Sequence, residues 1–291
     1  MRSFLFVPAD SPKKLDKAMT SSADALLIDL EDSVALDRKA RARESAAAFV
    51  KSALTAKPRP FLCVRVNGLQ TGLTDADLDA VAPAKPDAIM LPKAEGGASV
   101  IHAAAKLAVC EARNDLPHGH IKILPIATET AASLFVAGTF ANARDRLIGL
   151  TWGAEDLSAE LGAHANRDAQ GRFLDPYRLA RALCLAAAAT AQVPAIDTVY
   201  VDFRNEKGVR RECEEALRDG FVGKMAIHPA QVPIINTVFT PSAEALARAQ
   251  AIVDTFAMSP GAGVVGVGGI MYDRPHLARA ERLLASAAVK P

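Results

Sequence analysis

The sequence predicts an α/β fold, a (β/α)8 TIM barrel with a C-terminal lid segment. Three observations carry this expectation. Eight short apolar runs recur along 291 residues, amphipathic helical stretches separate them, and polar or acidic residues follow the runs at one end. Strands that alternate with helices argue for a parallel sheet with helical crossovers, and eight such units can close a barrel.

The runs, in order, are FLFV (4–7), ALLIDL (25–30), PFLCVRV (60–66), AIML (88–91), IKILPIA (121–127), RLIGLTW (146–152), TVYVDF (198–203) and GKMAIH (223–228). Each is short and rich in Val, Ile, Leu or Phe, as a strand buried on both faces should be. Helical segments are expected at 12–21, 38–54, 100–112, 130–137 and 209–218. The Ala-rich stretch 183–191 follows Asp175-Pro176, an N-cap and first-turn pair, and reads as a core helix. An open doubly wound sheet is the structural alternative. The sole G-x-G-x-x-G match, GAGVVG (261–266), follows no clear strand and opens no helix, so it reads as chance.

Domain organisation follows from a change of texture near the end. Residues 1–258 are expected to form the barrel catalytic domain, and 259–291 a Gly-hinged C-terminal lid. GAGVVGVGG (261–269) has five glycines in nine positions and neither a helical nor a strand period, which reads as a flexible linker. Beyond it, IMYDRP leads into a helix at 276–287. A flap of this kind can close over a bound substrate.

Composition excludes some functions. Lys+Arg is 34 and Asp+Glu is 33, so the net charge gives no reason to expect nucleic acid or an anionic membrane as partner. The apolar stretch in MRSFLFVPAD is too short for a signal peptide, and the run 183–191 is too short to span a bilayer. Cys63, Cys110, Cys184 and Cys213 form no CxxC pair. They read as buried reduced thiols, which suits a cytoplasmic protein.

The strand ends carry the polar groups. The second run ends in Asp29, Glu31 and Asp32, although burying an ionised carboxylate is costly unless it is paired, hydrogen-bonded or on a metal. The third carries Arg65 and Asn67, the fourth ends in Pro92-Lys93, and the fifth leads to Glu129. The sixth leads to Gly153, Glu155 and Asp156, the seventh carries Asp202, and the eighth ends in His228-Pro229. Active sites of such barrels lie at these ends.

Eight stretches, RSFLFVPAD, DALLIDLEDSV, CVRVNG, IMLPKAE, IATET, GLTWGAEDLSAELG, GFVGKMAIHPAQVPIIN and GGIMYDRP, run from residue 2 to about 275. In them the chain resembles the citrate lyase β-subunit-like family of CoA-ester lyases, which includes malyl-CoA and citramalyl-CoA lyases. It departs from the family in having VPAD where Pro-Gly is common, which should alter a turn. The resemblance implies a barrel, usually a homotrimer, with Mg²⁺ held by a Glu and an Asp that map onto Glu129 and Asp156. It maps the family's Arg onto Arg65 and its C-terminal acid onto Asp273. It also implies that the lid covers a neighbouring subunit's site and that Asp273 handles the proton at the acyl-CoA carbon.

The chemistry of these residue types fits that implication. Mg²⁺ takes few carboxylates, keeps waters and leaves positions for substrate oxygens. Glu155 is an alternative ligand to Asp156, and each ligand acid could instead be a helix N-cap. Asp29, Glu31 and Asp32 are expected behind the metal, orienting its waters and Arg65, or as a rim salt-bridge network. Arg65 suits a carboxylate or enolate oxygen, unless it pairs only with Glu31 or Asp32. Arg2, Lys13, Lys14 and Lys17 could meet CoA phosphates, although solvated surface is the simpler reading of each lysine. The expected reaction is Mg²⁺-dependent carbon–carbon cleavage of a β-hydroxyacyl-CoA into an acyl-CoA and a 2-oxo acid. A CoA-independent pyruvate aldolase, a non-catalytic lyase-complex subunit and a thioesterase are the alternatives.

Overall fold

The structure is a computed structural model that describes residues 1–288. It separates into two compact units, Met1–Asn236 and Thr237–Pro291. In the first unit seven parallel strands form one sheet: β1 Ser3–Pro8, β2 Ala25–Asp29, β3 Phe61–Arg65, β4 Ala88–Leu91, β5 Lys122–Pro125, β6 Ile196–Asp197 and β7 Gly223–Ala226. Their order is β5-β4-β3-β2-β1-β7-β6. Helices connect them, among them Lys39–Ala53, Gly96–Arg113, Asp175–Ala191 and Glu206–Asp219. Period-two alternation divides the strands between two faces. Phe4, Leu27, Cys63, Met90, Leu124, Ile126 and Met225 pack together on one of them.

Two of the eight expected strands differ. Residues 146–152 form no regular strand but make isolated parallel bridges to β5 at Ile123↔Leu147, just past β5 at Ile126↔Thr151, and to Ala195 through Leu150. One segment therefore bridges both edges of the sheet. The offset to β5 grows by one residue between its two bridges, as a bulge requires, and this breaks the ladder. Gly149 is needed in this segment, because a Cβ there would lie 2.9 Å from the Pro194 carbonyl oxygen and 2.7 Å from Ile196 Cδ1.

The run TVYVDF is not a strand. β6 ends at Asp197, whose partner on β7 is Lys224, and the pairing does not continue to Met225 and Ala226. Gln231 takes over the backbone groups at this corner. Its Nε2 donates to the Tyr200 carbonyl, and its Oε1 accepts from the amides of Ile227 and His228.

The second unit corrects the reading of the glycine-rich stretch as a linker without strand structure. Strands β8 Val264–Val267 and β9 Ile270–Asp273 form an antiparallel hairpin. Gly268 and Gly269, at φ +60° and +80°, make its two-residue turn, a geometry that needs positive φ at both positions. Strand period was hidden because glycine occupies Gly266 and the turn. Val265, Val267 and Tyr272 pack on Ile252, Phe256 and Ala280 from the helices Ala243–Ala257 and Arg274–Ala288. Gly268→Ala should destabilise this unit by about 1–2 kcal/mol through the left-handed backbone alone, since open space surrounds the site. Thermal unfolding checks it, and an unchanged melting curve would remove the turn's demand for glycine.

Among the described residues, no helix is long and apolar enough to cross a membrane. All four cysteines are buried and unpaired.

Candidate active site

Strand register builds the site. Asp29 continues the face of Ala25 and Leu27 at the end of β2, and it registers with Arg65 at the end of β3. Asp29 Oδ1 accepts from Arg65 Nε and its Oδ2 from Arg65 Nη2, both at 2.7 Å. Backbone amides of Glu31 and Ser33 donate to the same carboxylate. Burial alone would raise its pKa, but the guanidinium fork and these donors hold it below the usual aspartate value. Asp29 thus takes two of the five N–H donors of Arg65. Glu31 Oε2 lies 3.0 Å from Arg65 Nη1 without hydrogen-bond alignment, and Asp32 Oδ2 lies at 3.5 Å. The Arg65 guanidinium also sits 4.9 Å from the Phe6 ring centre. Its main partner among the three expected acids is therefore Asp29, and the alternative of pairing only with Glu31 or Asp32 does not hold.

Glu129 follows β5 and is almost fully buried, with its Oε2 accepting from the Lys93 amide at 2.5 Å. Asp156 lies in the first turn of the helix Ala154–Glu160, where the helix dipole favours an acid. Burial, reinforced by the Asp156 charge, pushes the Glu129 carboxyl well above the ordinary glutamate range. Burial also raises Glu31, against the pull of Arg65 and Lys93. Glu155 accepts from Asn166 Nδ2 at 2.9 Å.

Lys93, in the sequence only a charge at a strand end, is central in the structure. Its Nζ lies 2.8 Å from Glu31 Oε1 and 3.1 Å from Asp156 Oδ1. Lys39, hidden in a helical stretch, is also buried and donates to the Leu30 and Glu31 carbonyls and to Asn67 Oδ1. Its apolar-face spacing with Ala42, Ala46 and Val50 was the signal that could have found it.

Asp29, Asp32, Arg65, Glu129, Thr151 and Asp156 all line a cavity of about 320 Å³. A larger cavity of about 680 Å³ adjoins the helices Asp175–Ala191 and Glu206–Asp219, where Arg181 pairs with Asp197 and Asp219. The smaller cavity holds the converging carboxylates and is the candidate site. Among the described residues no three His, Cys, Asp or Glu side chains gather as a ready metal-binding group.

Asp273 belongs to the second unit, at the end of β9. Its Oδ1 lies 2.5 Å from His276 Nδ1, and this contact lowers its pKa. His228 caps its own turn, accepting from the Ala230 amide, and stacks on Phe203.

A family model described as HpcH/HpaI aldolase/citrate lyase matches residues 2–229. A (3S)-malyl-CoA thioesterase of Cereibacter sphaeroides is 38% identical over 98% of this chain and 94% of that protein. A citrate lyase subunit beta of Leuconostoc mesenteroides subsp. cremoris is 33% identical over 98% of this chain and 93% of its own. Among solved structures, CitE from Mycobacterium tuberculosis in complex with magnesium, acetoacetate and coenzyme A is similar at a TM-score of 0.78 and 33% identity, covering 99% of this chain and 98% of that one.

Proposed function

The chain belongs to the HpcH/HpaI aldolase/citrate lyase family, and from that premise we propose that it is a Mg²⁺-dependent carbon–carbon lyase acting on a β-hydroxyacyl-CoA. The products are an acyl-CoA and a 2-oxo acid. The observation that carries this reading is the convergence of Glu129 and Asp156 on one cavity with an Arg65 locked by Asp29.

The residues fit the metal. The carboxylates of Asp29, Glu31, Asp32 and Asp156 outnumber the cations Arg65 and Lys93 that touch them, and Glu129 adds a further carboxyl oxygen beside the Lys93 amide. Hard oxygen donors in such a surplus suit a divalent cation that keeps several waters. Glu129 and Asp156 are the proposed ligands. Bound there, Mg²⁺ supplies Lewis-acid polarisation to the oxygens of a 2-oxo acid.

The chain's own groups do the rest. Asp29 fixes the plane of the Arg65 guanidinium, and Glu31 flanks it. Arg65 keeps donors for the thioester enolate oxygen, where negative charge develops. Asp32, more exposed, faces the same guanidinium. Asp273, on a lid formed by 259–291, is proposed to give or take the proton at the acyl carbon of CoA substrate bound in a neighbouring copy of a homotrimer. In this reading the seven strands and segment 147–151 form one (β/α)8 barrel, and the buried thiols suit a cytoplasmic enzyme.

Asp273→Asn should stop turnover yet leave Mg²⁺ and oxo-acid binding intact. It should also abolish exchange of acetyl-CoA methyl protons with deuterated water in the presence of an oxo-acid analogue. Wild-type exchange in that variant would remove Asp273 from the mechanism.

The 38% identical thioesterase favours a second reading, hydrolysis of the same CoA ester. A panel of β-hydroxyacyl-CoA substrates with Mg²⁺ separates the two. Cleavage yields oxo acid and acyl-CoA without free thiol, whereas hydrolysis yields free CoA thiol and hydroxy acid. Thiol release without oxo acid overturns the lyase reading.

A further inference from the structure

Lys93 meets most of the site's carboxylates, and no step above uses it. Its φ of +51° lies in the left-handed region, which is unfavourable for any residue with a side chain. There its N–H reaches Glu129 Oε2. Glycine would allow this without strain, yet the position carries a lysine. Its Nζ contacts Glu31 and Asp156, with Asp32 Oδ2 at 3.9 Å. Arg65, Glu129 and Asp156 form the cavity wall, but Lys93 does not. Lys93 therefore stands behind the acids, placed to act through them.

We propose that Lys93 is a positioning residue that serves as the site's internal counter-cation. Its ammonium neutralises Glu31 and Asp156 when no metal is bound and competes with a divalent cation for Asp156. The inference rests on the reading of Glu129 and Asp156 as metal ligands. Two effects oppose each other when the ammonium is removed. Asp156 loses a tether, and freeing one short side chain weakens binding only a few-fold. Repulsion between a unit charge and a divalent ion a few ångströms apart is larger, even with the screening of a partly exposed site. The charge effect wins, so metal binding tightens.

The test is isothermal calorimetry of the full chain with MgCl₂ alone, on wild type, Lys93→Met, Lys93→Gln and Lys93→Arg. Lys93→Met and Lys93→Gln should bind Mg²⁺ about tenfold or more tightly than wild type. Lys93→Arg keeps the charge and should stay close to wild type. In EDTA the Met variant should melt below wild type, and Mg²⁺ should raise its melting temperature by more than it raises wild type's. Lys93→Gln keeps polar contact with Glu31 and serves if the Met variant folds poorly. Equal or weaker Mg²⁺ binding in the charge-removed variants overturns the proposal while leaving the metal reading in place. Failure of wild type to bind Mg²⁺ overturns the metal reading, and this inference with it.

Discussion

Glu129→Gln should fold like wild type and lose Mg²⁺ affinity by roughly hundredfold or more, since even groups one shell out are worth ten- to hundredfold. Asp156→Asn should do the same. Each change removes the ionised oxygen that a hard cation needs and keeps the side chain's shape. The two acids are not equivalent. Glu129 is almost fully buried, and its carboxyl is pushed well above the usual range, first by burial and then by Asp156. A proton competes with Mg²⁺ there, so apparent affinity should fall as pH is lowered, with proton release on binding growing toward acid pH. Calorimetry in buffers of different ionisation enthalpy measures both quantities. Unchanged Mg²⁺ affinity in both variants would sink the ligand assignment.

Arg65→Lys should lower turnover by roughly a hundred- to thousandfold, about 3–4 kcal/mol of lost stabilisation where charge develops. The charge is kept, so the loss measures geometry. Asp29 grips Nε and Nη2 of the fork together, at 2.7 Å each. An ammonium is a point charge that cannot meet both oxygens in the same plane and still aim a fixed donor into the cavity. The backbone amides of Glu31 and Ser33 still bind Asp29, so the rim should stay folded. Steady-state kinetics alongside thermal unfolding decides the matter. Near-normal turnover in Arg65→Lys would make Arg65 a structural partner of Asp29.

Much of this protein was legible as text. The strand cores β1 to β5 and β7 were apparent because each is a short unbroken apolar run, and burial on both faces of a parallel sheet demands such a run. The gathering of acids after these runs pointed to the candidate site, because a carboxylate at the end of a buried strand needs a partner. Asp29, Arg65, Glu129 and Asp156 were all named from that pattern, and the cavity contains all four.

What the sequence could not set was decided by registers and approaches between distant segments. The Asp29–Arg65 fork depends on β2 and β3 pairing at one register, a relation across 36 positions that no local pattern encodes. The broken ladder at 146–152 depends on the shift in its register along 123–126, and TVYVDF is not a strand although two residues of β7 lie beyond its last pair with β6. The hairpin at 264–273 was missed because its glycines carry no periodicity, and only the pairing of its strands gives them a role. Lys93 and Lys39 were unremarkable charges in the sequence. Their importance comes from folding, which brings Lys93 against carboxylates and buries Lys39 among carbonyl oxygens from other segments. Local chemistry thus determined which groups this protein carries to its strand ends. Long-range packing decided which of them meet, since an ion pair's energy depends on a separation that only the folded chain defines.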